Sequence, residues 1–158
     1  MDEITPLTIS IDLNGSPVQS TVQPRMLLVE WIRGVAGQTG THIGCDTSYC
    51  GACTVLLNDQ PVKSCTVLAA QADGARVRTV EGLEIDGQPC RLQQCFSKQH
   101  ALQCGYCTPG MLMAATALLE QGGMVDEASV RKALSGNVCR CTGYQNIVAA
   151  VLTAAQIN

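Results

Sequence analysis

Four cysteines constrain this chain more than any other feature of its sequence. They are Cys45, Cys50, Cys53 and Cys65, the first three at the spacing C-x4-C-x2-C and the last twelve residues further on. Small residues accompany them, among them Gly44 before the first cysteine and Gly51 between the second and third. Because glycine allows a positive φ and close approach of the backbone, the loop can wrap around a bound group. The pattern predicts four thiolates closed around one metal centre.

The spacing also indicates the kind of centre. Plant-type [2Fe–2S] clusters are held by four thiolates in the arrangement C-x4-C-x2-C…C, on two tetrahedral irons. A structural zinc site can use four cysteines too, but its ligands usually come as two short C-x2–4-C pairs on separate hairpins. The sequence therefore favours a [2Fe–2S] cluster, which transfers single electrons, over structural zinc.

A second set of cysteines lies in the other half of the chain. It reads C-x2-C and, after 31 intervening residues, C-x-C, and consists of Cys104, Cys107, Cys139 and Cys141. Both pairs fall just before predicted helices, whose N-termini carry partial positive charge that stabilises thiolates. The spacing alone leaves zinc, a redox dithiol and a second cluster open. The first predicted cluster favours a second [2Fe–2S] cluster, because two neighbouring centres of one kind can relay electrons.

Four other residues with metal-binding side chains are predicted to have no metal role. Cys90 and Cys95 have no partner at ligand spacing, and free cysteine is among the most buried residue types, so we expect ordinary packing. His42 and His100 could serve a Rieske centre only by replacing two cysteines, and eight are already available. We expect both histidines to be structural or to contact a partner.

Composition limits the class of protein. The chain has 158 residues, near the usual size of one domain but long enough for two small units. Its ten cysteines are accompanied by an acidic N-terminus without an apolar stretch, so we expect no secretion. Cytosolic thiols are kept reduced, which favours metal binding over disulfides. The sequence predicts a cytoplasmic protein.

Charge and hydropathy exclude further classes. No apolar run is long enough for a membrane span. The net charge is −3, without a cluster of Lys and Arg, which argues against nucleic-acid binding. A free-standing soluble two-cluster ferredoxin is the alternative to a subunit of a complex. Free carriers usually steer by a strong charge of one sign, so the weak charge favours permanent docking.

The first half of the chain has the pattern of a small sheet. Residues 7–13 alternate apolar and polar side chains, and Asn14 with Gly15 predicts a type I′ hairpin that leads to Val22. The next expected element is a helix over residues 26–32, with Trp31 on its flank and an end near Gly34 or Gly37. A strand is expected after Cys53, followed by a turn at Asn58 and Asp59 and a return strand to Cys65. The last expected strand covers residues 75–80. This order is that of a β-grasp fold.

The second half is predicted to be helical, because the apolar period changes from two to 3.6 across residues 81–89. We expect four helices: residues 91–103, one capped by Thr108 and ended by Gly122 and Gly123, one from Asp126 to Ser135, and one from Thr142 and Gly143 to the C-terminus. The predicted fold class is α+β, with a β-grasp domain over residues 1–80, a linker over 81–89 and a four-helix domain over 90–158.

Three stretches of sequence carry a resemblance to a known family. They are GC at residues 44–45 with CGACTV at 50–55, QCGYCTPG at 103–110, and NVCRCTGY at 137–144. Together they resemble the small iron–sulfur subunit of the xanthine dehydrogenase/molybdenum hydroxylase family. Residues 42–48 and 144–148 look most similar to the small subunit of aerobic carbon monoxide dehydrogenases and their heterotrimeric relatives. The sequence departs from the carbon monoxide enzymes at residues 95–96 and 100–101.

The resemblance implies cofactors and partners. It implies one [2Fe–2S] cluster in each domain, a large subunit with molybdopterin in its cytosine dinucleotide form, and a medium subunit with FAD, in a heterotrimer or its dimer. Gln103 and Cys141 are then expected near the molybdopterin, with the helical cluster beside it and the β-grasp cluster nearer the flavin. The substrate, carbon monoxide or a small N-heteroaromatic, alkaloid or aldehyde, would bind another chain, so no catalytic residue is expected here.

Overall fold

A computed structural model describes residues 5–156. Its first half is a mixed five-stranded sheet with the spatial order β2-β1-β5-β3-β4. The strands are β1 (Leu7–Leu13), β2 (Ser16–Val22), β3 (Thr54–Leu57), β4 (Gln60–Lys63) and β5 (Arg76–Arg78). β1 pairs parallel with β5 and antiparallel with β2, and β3 pairs antiparallel with both β4 and β5. The sheet has the ferredoxin-like β-grasp architecture that the sequence predicts.

The predicted first hairpin is confirmed. Asn14 and Gly15 both have positive φ, 53° and 82°, as a type I′ turn requires. The Asn14 side chain also reaches the end of β5: its Nδ2 donates to Thr79 Oγ1 over 3.0 Å, and its Oδ1 accepts from Thr79 N over 2.9 Å. The turn residue therefore fixes the strand that leads into the second half of the chain.

The segment after the hairpin differs from the prediction. It is a short helix, α1 (Leu28–Glu30), that continues as a π-helical turn over Trp31–Val35. Trp31, expected on the flank of this helix, is fully buried in the core of the sheet half. The wide turn brings the indole under β2, where its Nε1 donates to Ser20 Oγ over 2.7 Å. A buried Trp usually finds such a partner.

The second half contains α2 (Arg91–Lys98), α3 (Thr108–Glu120), α4 (Glu127–Ala133) and α5 (Gln145–Ala155). α2 is shorter than the predicted 91–103, because His100 adopts φ 51° and closes a Schellman motif. In that motif Ala101 N donates to Phe96 O and His100 N to Ser97 O. α4 begins as predicted at Asp126, whose carboxylate accepts from Ser129 N over 2.8 Å.

Two helices begin at other residues than the sequence predicts. α3 has Cys107 as its N-cap, so Thr108 already lies in the first turn. α5 begins at Gln145 after Tyr144, which has φ 69°, and not at Thr142 and Gly143. The left-handed conformation of Tyr144 delays the start of α5. The predicted helix to the C-terminus ends at Ala155, and residues 1–4 and 157–158, the ends of the two predicted domains, lie outside the described residues.

The two halves share strand β3. Successive side chains of a strand point to opposite faces, so Val55 enters the core beneath the sheet while Leu56 enters the helical core. Leu83, from a 3₁₀ turn in the predicted linker, also belongs to the helical core. Within residues 5–156, no helix combines the length and apolarity that crossing a bilayer requires.

Candidate functional site

The first group of cysteines lies on the loop that leads into β3 and on the turn that follows β4. Cys45, Cys50 and Cys53 lie on this loop, and Cys65 lies in the 3₁₀ turn Ser64–Thr66 after β4. Ser64 fixes these two segments to each other, because its hydroxyl and its backbone N donate to Cys53 O over 2.7 Å and 3.2 Å. The hairpin β3–β4 thus delivers Cys65 to the other three cysteines.

Backbone amides of the loop point at the sulfurs. Cys50 N lies 3.4 Å from Cys45 Sγ, and Ala52 N lies 3.5 Å from Cys50 Sγ. The amides of Cys50 and Thr47 lower the pKa of the Cys45 thiol to about 6. Burial, together with the neighbouring Cys53 and Cys45 thiols, raises the pKa of Cys65 to about 11. Thiols this close repel each other as thiolates, and a cationic metal centre would remove that repulsion.

The second group lies in the two loops that precede α3 and α5. Cys141 Sγ lies 3.6 Å from Cys104 Sγ, and Cys107 lies beside Cys139. Burial and the Cys139 and Cys104 thiols raise the pKa of Cys107 to about 12. Cys104 and Cys141 are exposed, whereas Cys139 is buried. The group is therefore closed on the side of the helices and open to solvent on the other.

Two residues that sequence reasoning overlooked support this second group. Thr142 Oγ1 lies 3.1 Å from Cys139 Sγ, and although burial raises the pKa of Cys139, hydrogen bonds from Thr142 and the Cys141 amide lower it overall. Tyr144 OH accepts from Cys139 N over 2.9 Å and donates to Asn137 O over 3.2 Å. In the sequence both belong to the stretch NVCRCTGY, and Thr142 is expected to begin a helix, but neither pattern indicates these hydrogen bonds.

The two cysteine loops touch each other through backbone. Val138 N, next to Cys139, donates to Cys50 O over 2.8 Å. A Cβ on Gly51 would collide with Gly136 O, and a Cβ on Gly110 would collide with Gly51 O. One cavity is lined by sulfur-bearing residues of both groups, Cys50 from the first and Cys104, Cys107, Cys139 and Cys141 from the second. The two candidate metal sites are therefore neighbours.

A second contact joins the loops on the solvent side. The rings of His42 and Tyr106 stack with centroids 4.5 Å apart. His42 Nδ1 lies 2.8 Å from Tyr106 O, and Tyr106 OH donates to Ile43 O over 2.8 Å. Tyr106 lies between Cys104 and Cys107, and His42 precedes Cys45, so the structural role expected for His42 is an interaction between the two loops.

The other two cysteines, Cys90 and Cys95, are residues of the helical core. Cys95 is buried in the helical core and Cys90 packs against that core, which confirms their packing role. In the described part of the chain all ten cysteines are free thiols. Among residues 5–156, no three His, Cys, Asp or Glu side chains converge on a position for a single metal ion. A [2Fe–2S] cluster spreads its four thiolates over two irons and so needs a wider cage.

Comparison with known proteins decides the family. Residues 11–83 match the family described as "2Fe-2S iron-sulfur cluster binding domain", and residues 79–152 match the "[2Fe-2S] binding domain" family. The chain is 50% identical over 147 residues to the 6-hydroxypseudooxynicotine dehydrogenase complex subunit beta of Paenarthrobacter nicotinovorans, covering 92% of each chain. It is 46% identical over 146 residues to the caffeine dehydrogenase subunit gamma of Pseudomonas sp. (strain CBB1), covering 90% of this chain and 87% of the relative. The chain belongs to the small iron–sulfur subunits of the xanthine dehydrogenase/molybdenum hydroxylase family.

A solved structure extends the match to the whole fold of this small iron–sulfur subunit. The crystal structure of quinoline 2-oxidoreductase from Pseudomonas putida 86 superposes with a TM-score of 0.92 at 45% identity, covering 95% of this chain and 93% of that chain. The predicted family is thereby confirmed, and the chain is a ferredoxin-like electron-transfer subunit of an oxidoreductase. The narrower likeness to carbon monoxide dehydrogenases stays a prediction.

Proposed function

We propose that this small iron–sulfur subunit holds two [2Fe–2S] clusters that relay electrons from a molybdopterin subunit to an FAD subunit of a heterotrimeric hydroxylase. The arrangement of eight cysteines in two neighbouring groups, one in each matched domain, carries the proposal. Such clusters supply one-electron transfer. The chain supplies thiolates, amide donors and a fixed spacing.

The proposed ligands are the two groups of cysteines. Cys45, Cys50, Cys53 and Cys65 would hold the cluster of the β-grasp domain, and Cys104, Cys107, Cys139 and Cys141 that of a four-helix domain. Amides directed at Cys45 and Cys50, and the hydroxyl of Thr142 beside Cys139, fit thiolates bound to iron. Hydrogen bonds to sulfur also tune cluster potential.

The two groups differ in exposure, which supports an order along the relay. Cys104 and Cys141 are exposed next to the exposed Gln103, so a partner chain can cover this edge. We propose that the molybdopterin, in its cytosine dinucleotide form, approaches here near Gln103 and Cys141. The FAD subunit would then lie nearer the β-grasp cluster.

Three further statements belong to the same proposal. The substrate, carbon monoxide or a small N-heteroaromatic, alkaloid or aldehyde, would be bound by the large subunit; the names of two relatives contain 6-hydroxypseudooxynicotine and caffeine. The domain limits are proposed as residues 1–80 and 90–158 with a linker at 81–89. Ten free thiols in the described chain favour a reducing compartment, the cytoplasm.

Purification of the chain from its own cells tests the proposed complex. We expect it to co-purify with a larger molybdenum-containing chain and an FAD-containing chain, and to carry about four irons. Mass spectrometry, flavin fluorescence and metal analysis measure these components. A monomer with full activity toward a soluble acceptor would instead favour the free ferredoxin, and zinc without iron would favour a structural zinc protein.

Replacing Gln103 tests the order of the two clusters. In the assembled complex, Gln103→Ala is expected to perturb the electron paramagnetic resonance signal of the helical-domain cluster and to slow its reduction by substrate, because that cluster lies beside Gln103 and the proposed pterin contact. Gln121→Ala, an exposed glutamine at the far end of α3, is the matched control. A change confined to the β-grasp cluster would reverse the order.

A further inference from the structure

We propose that Asn137 is a positioning residue that sets the spacing and orientation of the two cysteine loops, and through them of the two clusters. This role rests on the ligand sets proposed above. Asn137 itself lies two residues before Cys139, and the hydrogen bonds described below join it to backbone groups and hydroxyls. It acts by connecting the backbone around one cluster to the backbone around the other.

On the β-grasp side, Asn137 binds both ends of the segment that contains Cys53. Its Nδ2 donates to Gly51 O over 2.9 Å and to Thr54 Oγ1 over 3.1 Å. The residue is almost fully buried, with 6% exposed, and both hydrogen bonds are buried. A buried amide with both donors satisfied is expensive to disturb, since an unmade bond leaves a desolvated polar group.

On the helical side, Asn137 is held by its own backbone. Its N donates to Leu134 O over 2.9 Å at the end of α4. Its carbonyl accepts from Tyr144 OH, the same hydroxyl that accepts from Cys139 N. A displacement of Asn137 would therefore move the partner of a proposed ligand, and the side chain transmits the position of one loop to the other.

The orientation of the amide is determined by the network. Gly51 O is a carbonyl and can only accept. The Thr54 hydroxyl donates its single proton to Gly51 O over 2.7 Å, so it can only accept from Asn137. With this arrangement the NH₂ group faces both partners, and an oxygen at that position would meet the carbonyl oxygen of Gly51, which cannot donate.

Close packing leaves the loops no alternative spacing. A Cβ on Gly51 would lie 2.8 Å from Asn137 Cγ. The backbone carbonyl of Gly51 is in addition packed against Gly110 of α3, where a Cβ would collide with it. With backbone against backbone on both sides, the planar amide of Asn137 defines the gap between the loops.

The test uses Asn137→Asp in the assembled complex, an isosteric change that removes the donors and places a second acceptor against Gly51 O. We expect iron content to stay at about four per chain. The splitting caused by magnetic interaction between the two reduced clusters, measured by low-temperature electron paramagnetic resonance, is expected to shift, because that interaction depends steeply on distance and orientation. Asn146→Asp is the matched control: Asn146 Nδ2 donates to His100 O over 3.3 Å at an exposed position, and its spectrum should equal that of the wild type.

Iron content and magnetic splitting together test the positioning role of Asn137. Full iron with unchanged splitting in Asn137→Asp would overturn the positioning role. Asn137→Ala, which removes the donors without adding a charge, covers the case in which the aspartate variant fails to assemble. If the alanine variant also loses iron, Asn137 serves cluster binding and not spacing, and the proposal fails. The iron content of the wild-type protein is measured first. A wild-type protein without iron would overturn the ligand assignment and not the role of Asn137.

Discussion

In the assembled complex, Cys53→Ala is expected to leave about two of about four irons per chain, because each [2Fe–2S] cluster holds two irons on four thiolates. Cys53 is buried and its carbonyl is fixed by Ser64, so no other side chain of the loop can take its place without rearranging the turn. Cys107→Ala should cause the same loss, and the double variant should carry no iron. Metal analysis and visible absorption measure the loss.

Cys95→Ala provides the control for this experiment. Cys95 is also buried, but it belongs to the helical core and to neither proposed ligand set, so the iron content should stay at about four. Cys90→Ala should behave in the same way. If Cys53→Ala retained all its iron, or if Cys95→Ala lost two irons, the proposed ligand assignment would be wrong.

Gly51→Ala is expected to destabilise the chain by forcing the two cysteine loops apart. Gly51 has φ +71°, and a Cβ there would collide with Gly136 O. The positive φ costs about 1–2 kcal/mol for a residue with a Cβ. The steric collision should add about 1–3 kcal/mol, as overpacking does in well-packed interiors. Denaturant titration followed by the visible absorption of the clusters measures the combined loss.

Gly74→Ala separates these two costs. Gly74 has almost the same φ, +72°, and no atom within 4 Å of an added Cβ, so this variant incurs only the backbone penalty. The difference between the two midpoints then reports the contact between the loops. Equal midpoints for Gly51→Ala and Gly74→Ala would show that the contact has no energetic importance.

Much of the fold could be predicted because the signals are local. Asn14 and Gly15 determine a turn by themselves, and the carboxylate of Asp126 caps α4 from three residues away. The cysteine spacing likewise indicated both candidate centres, since ligand spacing reflects the geometry of a loop. The family was accessible from the same stretches of sequence, and the comparisons confirm it.

The remainder depends on contacts between distant residues, which no local pattern contains. Trp31 is buried because a π-helical turn, not an α-helix, carries it under β2. α2 ends early because His100 adopts a positive φ, which a non-glycine residue rarely does. The roles of Tyr144 and Asn137 could not be read from the sequence, since their partners become neighbours only in the folded chain.

The Gly51–Asn137 hydrogen bond joins residues 86 positions apart, and this distance affects how the chain can be divided. A fragment that ends in the 81–89 stretch would possess every cysteine of its own ferredoxin-like site. It would nevertheless lack two donors to this loop, Asn137 Nδ2 at Gly51 O and Val138 N at Cys50 O, and within the described residues Gly51 O would keep only its bonds from Thr54. Each group of cysteines therefore lies within one half of the sequence. The hydrogen bonds around the first site, in contrast, are complete only when nearly the whole chain has been synthesised.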